Sequence, residues 1–235
     1  MVKRVTREEA WKGEANCKIC TLRDSVLFAG LEEKDFDHIH KPIEQLPLKP
    51  GDHLYHAGDR AEHMFTIRSG LVKLVQYLPD GSQRIVRLLR ATDVTGMEAL
   101  VGGEYQHDAI VMQETEVCVL PVDVVQRLSQ ENSALHQELM RRWQQALSEA
   151  DLWITQLSTG SAKQRVARLL LKLVCDEDNR CELFNREDMG AILGITTETA
   201  SRTVAEFKRK GLLQETTPNT YIADRARLME VAEDI

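Results

Sequence analysis

The sequence predicts an α+β chain in which an antiparallel β-roll of the jelly-roll type precedes a long helix and a C-terminal pair of short helices. Three observations support this class. Short β-branched runs between turn residues fill positions 46–120, residues 122–158 contain neither glycine nor proline, and residues 185–211 carry two short helical repeats. At 235 residues the chain is long enough for two ordinary domains.

Turn residues punctuate the first region at short intervals. The clearest turn signal is Pro79-Asp80-Gly81, which lies between apolar runs at 71–78 and 83–89 and predicts a β-hairpin. Closely spaced short strands of this kind indicate an antiparallel sandwich, barrel or β-roll.

The segment 122–158 predicts one long helix. Its apolar residues recur at alternating spacings of four and three, which is the heptad pattern of a coiled-coil seam. We interpret the seam as a homodimer interface without acidic residues, so assembly should meet no like-charge repulsion. The predicted interface consists of Leu135, Leu139, Trp143, Ala146, Ala150, Trp153 and Leu157, with Leu128 in register before it. A second stripe of Met140, Leu147 and Ile154 is expected to pack on the chain's own β domain; the alternative is a helix buried entirely within one chain.

Residues 185–211 predict two short helices joined at Gly194, the second of which ends near Gly211. This arrangement is a helix-turn-helix, which places its second helix in the DNA major groove. The predicted buried positions are Met189, Ile192, Leu193, Ala200, Val204 and Phe207. After this motif, residues flanking Thr217-Pro218-Asn219 predict a two-stranded ribbon, or wing.

The opposite face of the second helix is polar. The candidate DNA-binding residues are Thr197, Glu198, Thr199, Ser201, Arg202 and Lys208. A carboxylate accepts from cytosine N4, a guanidinium donates to guanine O6 and N7, and an ammonium contacts phosphate. The competing interpretation is a helical hairpin with a solvated face, attached to a ligand-binding β-roll that does not bind DNA.

These patterns divide the chain into four parts. An N-terminal arm covers residues 1–27, a β-roll sensor domain 28–121, a dimerisation helix 122–158 and a winged helix-turn-helix domain 159–235. Thr159-Gly160-Ser161 is the expected hinge before the last domain.

The charge balance favours a selective binder. The net charge of −7 is not that of a nonspecific nucleic-acid binder, whereas a sequence-specific one needs only a local basic surface. No apolar run is long enough to span a membrane, and the N-terminus lacks the apolar core of a signal peptide. We therefore expect a cytoplasmic protein that does not bind membranes and whose five cysteines are thiols, metal ligands or redox groups.

No motif predicts an enzyme, and no catalytic residue is assigned. Seven histidines suggest a metal site of the kind found in cupin-type β-rolls, but the required cluster on neighbouring strands is not evident in the sequence. We interpret them as surface or hydrogen-bonding residues. They are His38, His40, His53, His56, His63, His107 and His136.

The order of β-roll, long helix and winged helix-turn-helix resembles the CRP/FNR family of bacterial transcription regulators along essentially the whole chain. The most specific match is Thr196-Thr197-Glu198-Thr199-Ala200-Ser201-Arg202, which fits the T-x-E-T-x-S-R motif of the FNR-like branch. The resemblance implies a regulator, predicted to be an activator, that binds a palindromic operator with TTGAT-type half-sites. It also implies that Glu198, Ser201 and Arg202 read the bases and that RNA polymerase is a partner.

The resemblance also bears on the effector. Cyclic-nucleotide-binding members hold the cyclic phosphate with an Arg-Ser pair, and His107-Asp108 stands at that place here. A carboxylate facing a phosphate is unfavourable and no guanidinium remains to bind it. Cyclic AMP is therefore not the expected effector, and Glu98 is expected to be an ordinary turn or surface residue.

Oxygen-sensing members hold a [4Fe–4S] cluster with four cysteines. This chain matches three of them, with Cys17 and Cys20 in the arm and Cys118 at the end of the β-roll, but Val26 replaces the fourth. Asp24 is the nearest residue that offers a carboxylate instead. The alternatives are a zinc or iron site, a thiol–disulfide switch between Cys17 and Cys20, inert thiols or an unrelated small-molecule effector.

Two further cysteines flank the acidic loop at 176–180. Cys175 is expected to be a buried thiol at the end of an apolar helix, and the spacing to Cys181 does not fit common zinc sites. Neither cysteine is assigned a function.

Overall fold

The computed structural model describes residues 43–175 and 178–233. They form two compact units. The first ends at Leu147, the second begins at Ser148, and the hairpin segment Tyr77–Val86 groups with the second. Among the described residues, no helix is both long and apolar enough to cross a membrane.

Two antiparallel sheets of four strands each form the β-roll within the described part of the chain, which confirms the predicted architecture. One sheet has the order β1-β8-β3-β6 and the other has the order β2-β7-β4-β5. The strands are β1 Glu44–Leu48, β2 His53–Tyr55, β3 His63–Ser69, β4 Val72–Tyr77, β5 Gln83–Leu89, β6 Val94–Thr95, β7 Asp108–Val111 and β8 Thr115–Pro121. The predicted hairpin joins β4 to β5, and Gly81 in its turn has a φ of +82°, a conformation that favours glycine.

The apolar side chains of the strands form the core of this domain. Ile67 on β3 pairs with Val117 on β8, and Val72 on β4 pairs with Val111 on β7. All four are almost completely buried. Burial of each such side chain contributes about 1.5–3 kcal/mol, so the strand register is set by the apolar pattern.

The predicted single helix over 122–158 is broken. Helix α1 covers Val122–Glu131, helix α2 covers Ser133–Leu152, and one π-helical turn follows at Trp153–Leu157. Asn132 between them has an extended backbone, and its Oδ1 accepts the N–H groups of Ala134 and Leu135 at 2.9 and 3.1 Å. An asparagine that caps the next helix thus ends the first one without glycine or proline. Leu128 consequently packs from α1 and is not part of a seam on α2.

The C-terminal domain contains helices and a small sheet. Its elements are α3 Ala162–Leu173, β9 Arg180–Glu182, α4 Arg186–Leu193, α5 Thr197–Arg209, β10 Leu213–Thr217, β11 Thr220–Ala223 and α6 Arg225–Glu233. Helix α3 begins with a capping box, in which Ser161 and Gln164 bond to each other's backbone N–H. The wing has a third strand that the sequence did not reveal, because β9 pairs with β11.

The two cysteines that flank the acidic loop correct one prediction. Cys175 is exposed beyond the end of α3, so the expectation of a buried thiol was wrong. Cys181 is the buried one, since it lies in β9 opposite Tyr221 of β11.

Candidate nucleic-acid interface

The predicted helix-turn-helix is formed by α4 and α5. Asn185 caps α4 by accepting the Asp188 N–H, and Gly194 ends it with a φ of +62°. Thr196 then caps α5 by accepting the Thr199 N–H at 3.2 Å. A left-handed glycine followed at once by a threonine cap produces the tight turn of the motif.

Close packing at this turn requires a glycine inside α4. A Cβ on Gly190 would lie 2.6 Å from the Ile195 carbonyl oxygen, closer than such atoms approach in proteins. The end of α4 is also held by α3, because Arg165 of α3 donates to the Leu193 carbonyl oxygen at 2.5 Å. The angle between α4 and α5 is therefore fixed by contacts that a larger residue would disrupt.

Burial divides α5 into the two predicted faces. Ala200, Val204 and Phe207 are almost fully buried against the domain core, and Thr203 joins them. The polar face carries the sequence-predicted residues, of which Thr199 is half-buried and the others are exposed: Thr197, Glu198, Thr199, Ser201, Arg202 and Lys208. The structure thus places five of the six in the first two turns of one helix and Lys208 near its end.

Lys208 is engaged in an ion pair at the base of the wing. Its ammonium pairs with Glu215 of β10 and lies 5.9 Å from the centre of the Tyr221 ring. Tyr221 donates to the other Glu215 oxygen at 3.2 Å, and Arg186 donates to the Tyr221 hydroxyl. The hydrogen bond with Glu215 raises the pKa of Lys208, and the same bond lowers the pKa of Glu215.

A second ion-pair group joins α5 to α3. Glu206 accepts from Lys163 at 2.7 Å and pairs with Lys210 at 2.9 Å. These two bonds, chiefly the one from Lys163, lower the pKa of Glu206 to about 2. Glu206 therefore stays ionised at neutral pH, and the basic end of α5 is anchored to the first helix of the domain.

Tyr55, Thr95 and Tyr105 are buried in the β-roll and bring their hydroxyl groups into its interior. Tyr55 stacks on Tyr105 with ring centres 3.9 Å apart, and its hydroxyl bonds to Thr95. Glu98 is half-buried in the short helix Met97–Val101, and after burial itself its charge contributes to raising the pKa of both tyrosines. The expectation that Glu98 is an ordinary turn or surface residue stays a prediction.

His107 and Asp108, at the position of the phosphate-binding pair described above, lie in different surroundings. Burial lowers the pKa of His107, which reduces its positive charge at neutral pH. The Asp108 carboxylate instead accepts the Ala57 N–H at 2.9 Å and lies beside His56. Neither residue offers the bidentate cation that an arginine supplies to a phosphate.

Of the cysteines considered for a cluster, only Cys118 falls within the described residues. It is half-buried on β8, and Arg68 of β3 donates to its sulfur at 3.9 Å. A cationic donor offsets the negative charge of a thiolate ligand. Cys17, Cys20, Asp24 and Val26 lie outside the described residues.

The two apolar stripes along α2 and the turn after it differ in burial, and the buried one is not the one that the sequence predicted to be buried on the β domain. Leu135, Leu139 and Leu157 of the predicted interface are 2%, 3% and 0% exposed in the single chain, so they are not available to a partner in this conformation. The stripe expected to pack on the β domain is the exposed one: Met140 45%, Leu147 59% and Ile154 62%. Of the other predicted interface residues, Trp143 is 38% exposed, and Ala146, Ala150 and Trp153 are half-buried. Trp143 and Ala150 also fit the heptad spacing of the exposed stripe.

Hydrogen bonds explain which stripe faces inward. Arg142 of α2 donates to the Thr92 carbonyl oxygen at 2.9 Å, and Arg87 of β5 donates to the Ala146 oxygen at 3.4 Å. Residues 135, 139, 142 and 146 share one face of a helix. That face is therefore turned to the β-roll of the same chain.

Two family models match the chain. Residues 45–132 match the cyclic nucleotide-binding domain, and residues 164–231 match the Crp-like helix-turn-helix domain. These ranges coincide with the two β sheets plus α1 and with the helices and wing of the C-terminal domain.

Similar proteins share nearly the full length of the chain. The fumarate and nitrate reduction regulatory protein of Vibrio cholerae is 28% identical over 225 residues, which cover 92% of this chain and 90% of that protein. The transcriptional activator protein anr of Pseudomonas aeruginosa is 26% identical over 227 residues, which cover 93% of each.

Solved structures show the same fold. FixK2 from Bradyrhizobium japonicum has a TM-score of 0.75 at 22% identity, covering 83% of this chain and 100% of that one. A CRP/FNR-family regulator from Thermus thermophilus has a TM-score of 0.67 at 25% identity, covering 81% and 99%. These relatives are transcription regulators, a class that contains no enzymes, as the sequence predicted. The chain belongs to the CRP/FNR family of transcription regulators, and α4 and α5 are its DNA-binding helix-turn-helix.

Proposed function

We propose that the chain is a homodimeric transcription activator that binds an inverted repeat with TTGAT-type half-sites and responds to a redox or oxygen signal. The observation that carries this proposal is the exposed polar face of α5. Its relatives include regulators named for fumarate and nitrate reduction and one named a transcriptional activator, which supports the activator role.

The base-reading residues are Glu198, Ser201 and Arg202. They lie at positions i, i+3 and i+4 of α5, so their side chains project from one face near the N-terminal end of the helix. That end of a recognition helix is the part that approaches base edges. Glu198 accepts from cytosine N4, and Arg202 donates to guanine O6 and N7. A TTGAT half-site presents both bases of a G·C pair.

The remaining predicted residues position the helix. Thr197 and Thr199 lie in the first turn, where backbone N–H groups and hydroxyls bind phosphate. Lys208 lies near the C-terminal end of α5. It contacts a phosphate there only if its ammonium leaves Glu215 and pairs with the DNA backbone. This exchange costs little because the side chains of Lys208 and Glu215 are 41% and 35% exposed, so solvent screens their ion pair.

Assembly as a homodimer uses the exposed stripe of α2. Met140, Trp143, Leu147, Ala150 and Ile154 have alternating spacings of three and four, which is the heptad pattern. Exposed Asp151 lies one helical turn from both Leu147 and Ile154. Two copies of this carboxylate near a twofold axis repel each other, so the expected freedom from like-charge repulsion does not hold for this face.

A cysteine-held redox site in the sensor domain receives the signal. Cys17, Cys20 and Cys118 are its thiolate ligands, and Asp24 is the candidate fourth ligand of a [4Fe–4S] cluster where Val26 offers none. Such a cluster supplies redox-active iron. Cys118 fits this use because it is half-buried beside a guanidinium. Cyclic AMP is not the effector, since His107 and Asp108 replace the phosphate-binding pair.

RNA polymerase is the expected protein partner of an activator bound upstream of a promoter. The site of action is the cytoplasm, because the operator is chromosomal DNA. A membrane is not among the proposed partners of the chain.

An electrophoretic mobility shift tests the DNA-binding proposal. The full chain should retard a duplex with a TTGAT-type inverted repeat but not a scrambled duplex of the same composition. Glu198→Ala and Arg202→Ala should each relax this preference. Arg60→Ala is the matched control, because it removes an exposed arginine of the β-roll and should leave the preference unchanged. Equal binding of both duplexes by the wild-type chain would refute the proposed specificity.

The visible spectrum of protein purified without oxygen tests the sensor proposal. A broad absorbance near ~400 nm that bleaches in air supports iron bound by cysteine thiolates. Cys118→Ser should remove it, whereas Cys175→Ser should not. A colourless, iron-free preparation would exclude the cluster and leave the thiol–disulfide switch between Cys17 and Cys20 as the remaining redox mechanism.

A further inference from the structure

Two histidines and a carboxylate meet at the edge where β2 and β7 pair. His53 begins β2, His56 follows its last residue and Asp108 begins β7. One ligand atom from each of the three side chains lies within 4.8 Å of the others. The sequence pattern favoured surface histidines, because nothing in it indicates that these three positions are neighbours.

An irregularity in the strand brings the histidines together. Residues three apart on a regular strand point to opposite faces. The β2–β7 register shifts between His53 and Tyr55, and the chain turns after Tyr55. As a result the His53 and His56 rings stack with centres 4.3 Å apart. Bulges of this kind re-aim side chains next to functional sites.

The carboxylate is held in place before any ion arrives. The Asp108 side chain is 13% exposed, and the Ala57 N–H donates to its Oδ1 at 2.9 Å. Outer hydrogen bonds that orient a ligand in this way are typical of metal sites. The two imidazoles are more exposed, so they are free to rotate toward an ion that enters from solvent.

The distances suit a small ion. Zinc–ligand bonds near 2.1 Å in a tetrahedral site place ligand atoms ~3.4 Å apart. His56 Nδ1 and Asp108 Oδ1 are already 3.3 Å apart. The ligand atoms of all three side chains lie within 4.8 Å of one another, and a rotation of the exposed His53 side chain brings its ring nitrogen closer to the other two.

We propose that His53, His56 and Asp108 form a binding site for a divalent transition-metal ion such as Zn²⁺. Imidazole nitrogen selects ions of this class over Mg²⁺ and Ca²⁺, which prefer oxygen ligands throughout. Three protein ligands leave a coordination position for water. The bound ion links β2 to β7 within the sensor domain, and the site is separate from Cys118.

Isothermal titration of the full chain with Zn²⁺ tests this site. Cys17→Ser/Cys20→Ser protein is the background, because the two thiols would otherwise bind zinc themselves. One ion per chain should bind this background, and millimolar Mg²⁺ should not compete. His53→Ala, His56→Ala and Asp108→Asn should each weaken binding at least ~10-fold. Asp108→Asn retains an oxygen that accepts the Ala57 N–H, so it preserves the loop.

His63→Ala is the matched control, since His63 is an exposed histidine on β3 outside the cluster. Its zinc affinity should equal that of the background. The site is refuted if the background binds no zinc, if any of the three ligand variants retains full affinity, or if His63→Ala weakens binding as much as they do.

Discussion

Arg202 and Lys208 both lie on α5 and both are cationic, yet they are assigned different roles. Arg202 projects from the face proposed to meet base edges, and Lys208 lies near the end of the helix beside the wing. Arg202→Ala should cost ~1–3 kcal/mol of operator binding and relax the base preference. Lys208→Ala should weaken binding to all sequences alike. It should also lower the slope of log affinity against log salt concentration by about one. Fluorescence anisotropy at several salt concentrations distinguishes them, and an identical, sequence-independent effect of both would contradict the assignment.

Glu215 is expected to oppose the proposed phosphate contact of Lys208. It neutralises Lys208, and its own charge lies on an exposed wing strand. Glu215→Gln should therefore tighten binding to any duplex and steepen the salt dependence, while the preference for TTGAT-type sites stays the same. Thr216→Ala is an uncharged control on the same strand. Weaker binding by Glu215→Gln would indicate that Glu215 positions the wing and that its charge is secondary.

At the scale of elements, the turn between α4 and α5 depends on Gly190. A methyl group there overlaps the Ile195 carbonyl, so Gly190→Ala should destabilise the protein by about 1–3 kcal/mol. Operator binding should fall with it, because α4 and α5 can no longer pack at the same angle. Chemical denaturation measures the first effect. The control is Gly103→Ala, whose Cβ meets only ordinary contacts in a β-roll turn. Unchanged stability of Gly190→Ala would show that the turn relaxes freely.

The helix-turn-helix could be predicted from sequence because its signals are local. A glycine at the turn and three apolar positions on each side of it specify two helices and their facing sides. The break at Asn132 is also local, but the lack of glycine and proline predicted one helix, whereas an asparagine that caps the next helix ends the first one without either. Cys175 was misplaced because α3 ends at Leu173, two residues before it.

The apolar stripes of α2 could not be assigned from their spacing. Both stripes fit a heptad, and they share Trp143 and Ala150. The choice depends on bonds from Arg142 and Arg87 to residues far away in sequence. The cluster of His53, His56 and Asp108 was missed for a similar reason, since a strand pairing and a register shift bring it together.

At the scale of the whole molecule, the proposed dimerisation depends on the exposed stripe. Leu147→Glu places two unpaired carboxylates in the seam and should weaken the dimer at least ~100-fold. Asp151→Asn removes a repulsive pair and should strengthen it. Sedimentation velocity measures both, and Gln145→Glu is the charge-matched control on an exposed position outside the stripe. A dimer that tolerates Leu147→Glu would place the interface elsewhere.

The central claim is that two copies of α5 read two half-sites together. The half-site centres of such an operator lie about one helical turn apart, ~34 Å. The most direct measurement is the affinity of the full chain for an inverted repeat and for the same repeat with about 5 base pairs inserted between its halves. The insertion turns one half-site to the opposite side of the duplex, so the affinity should fall to that for a single half-site. Equal affinity for the two duplexes would contradict the account.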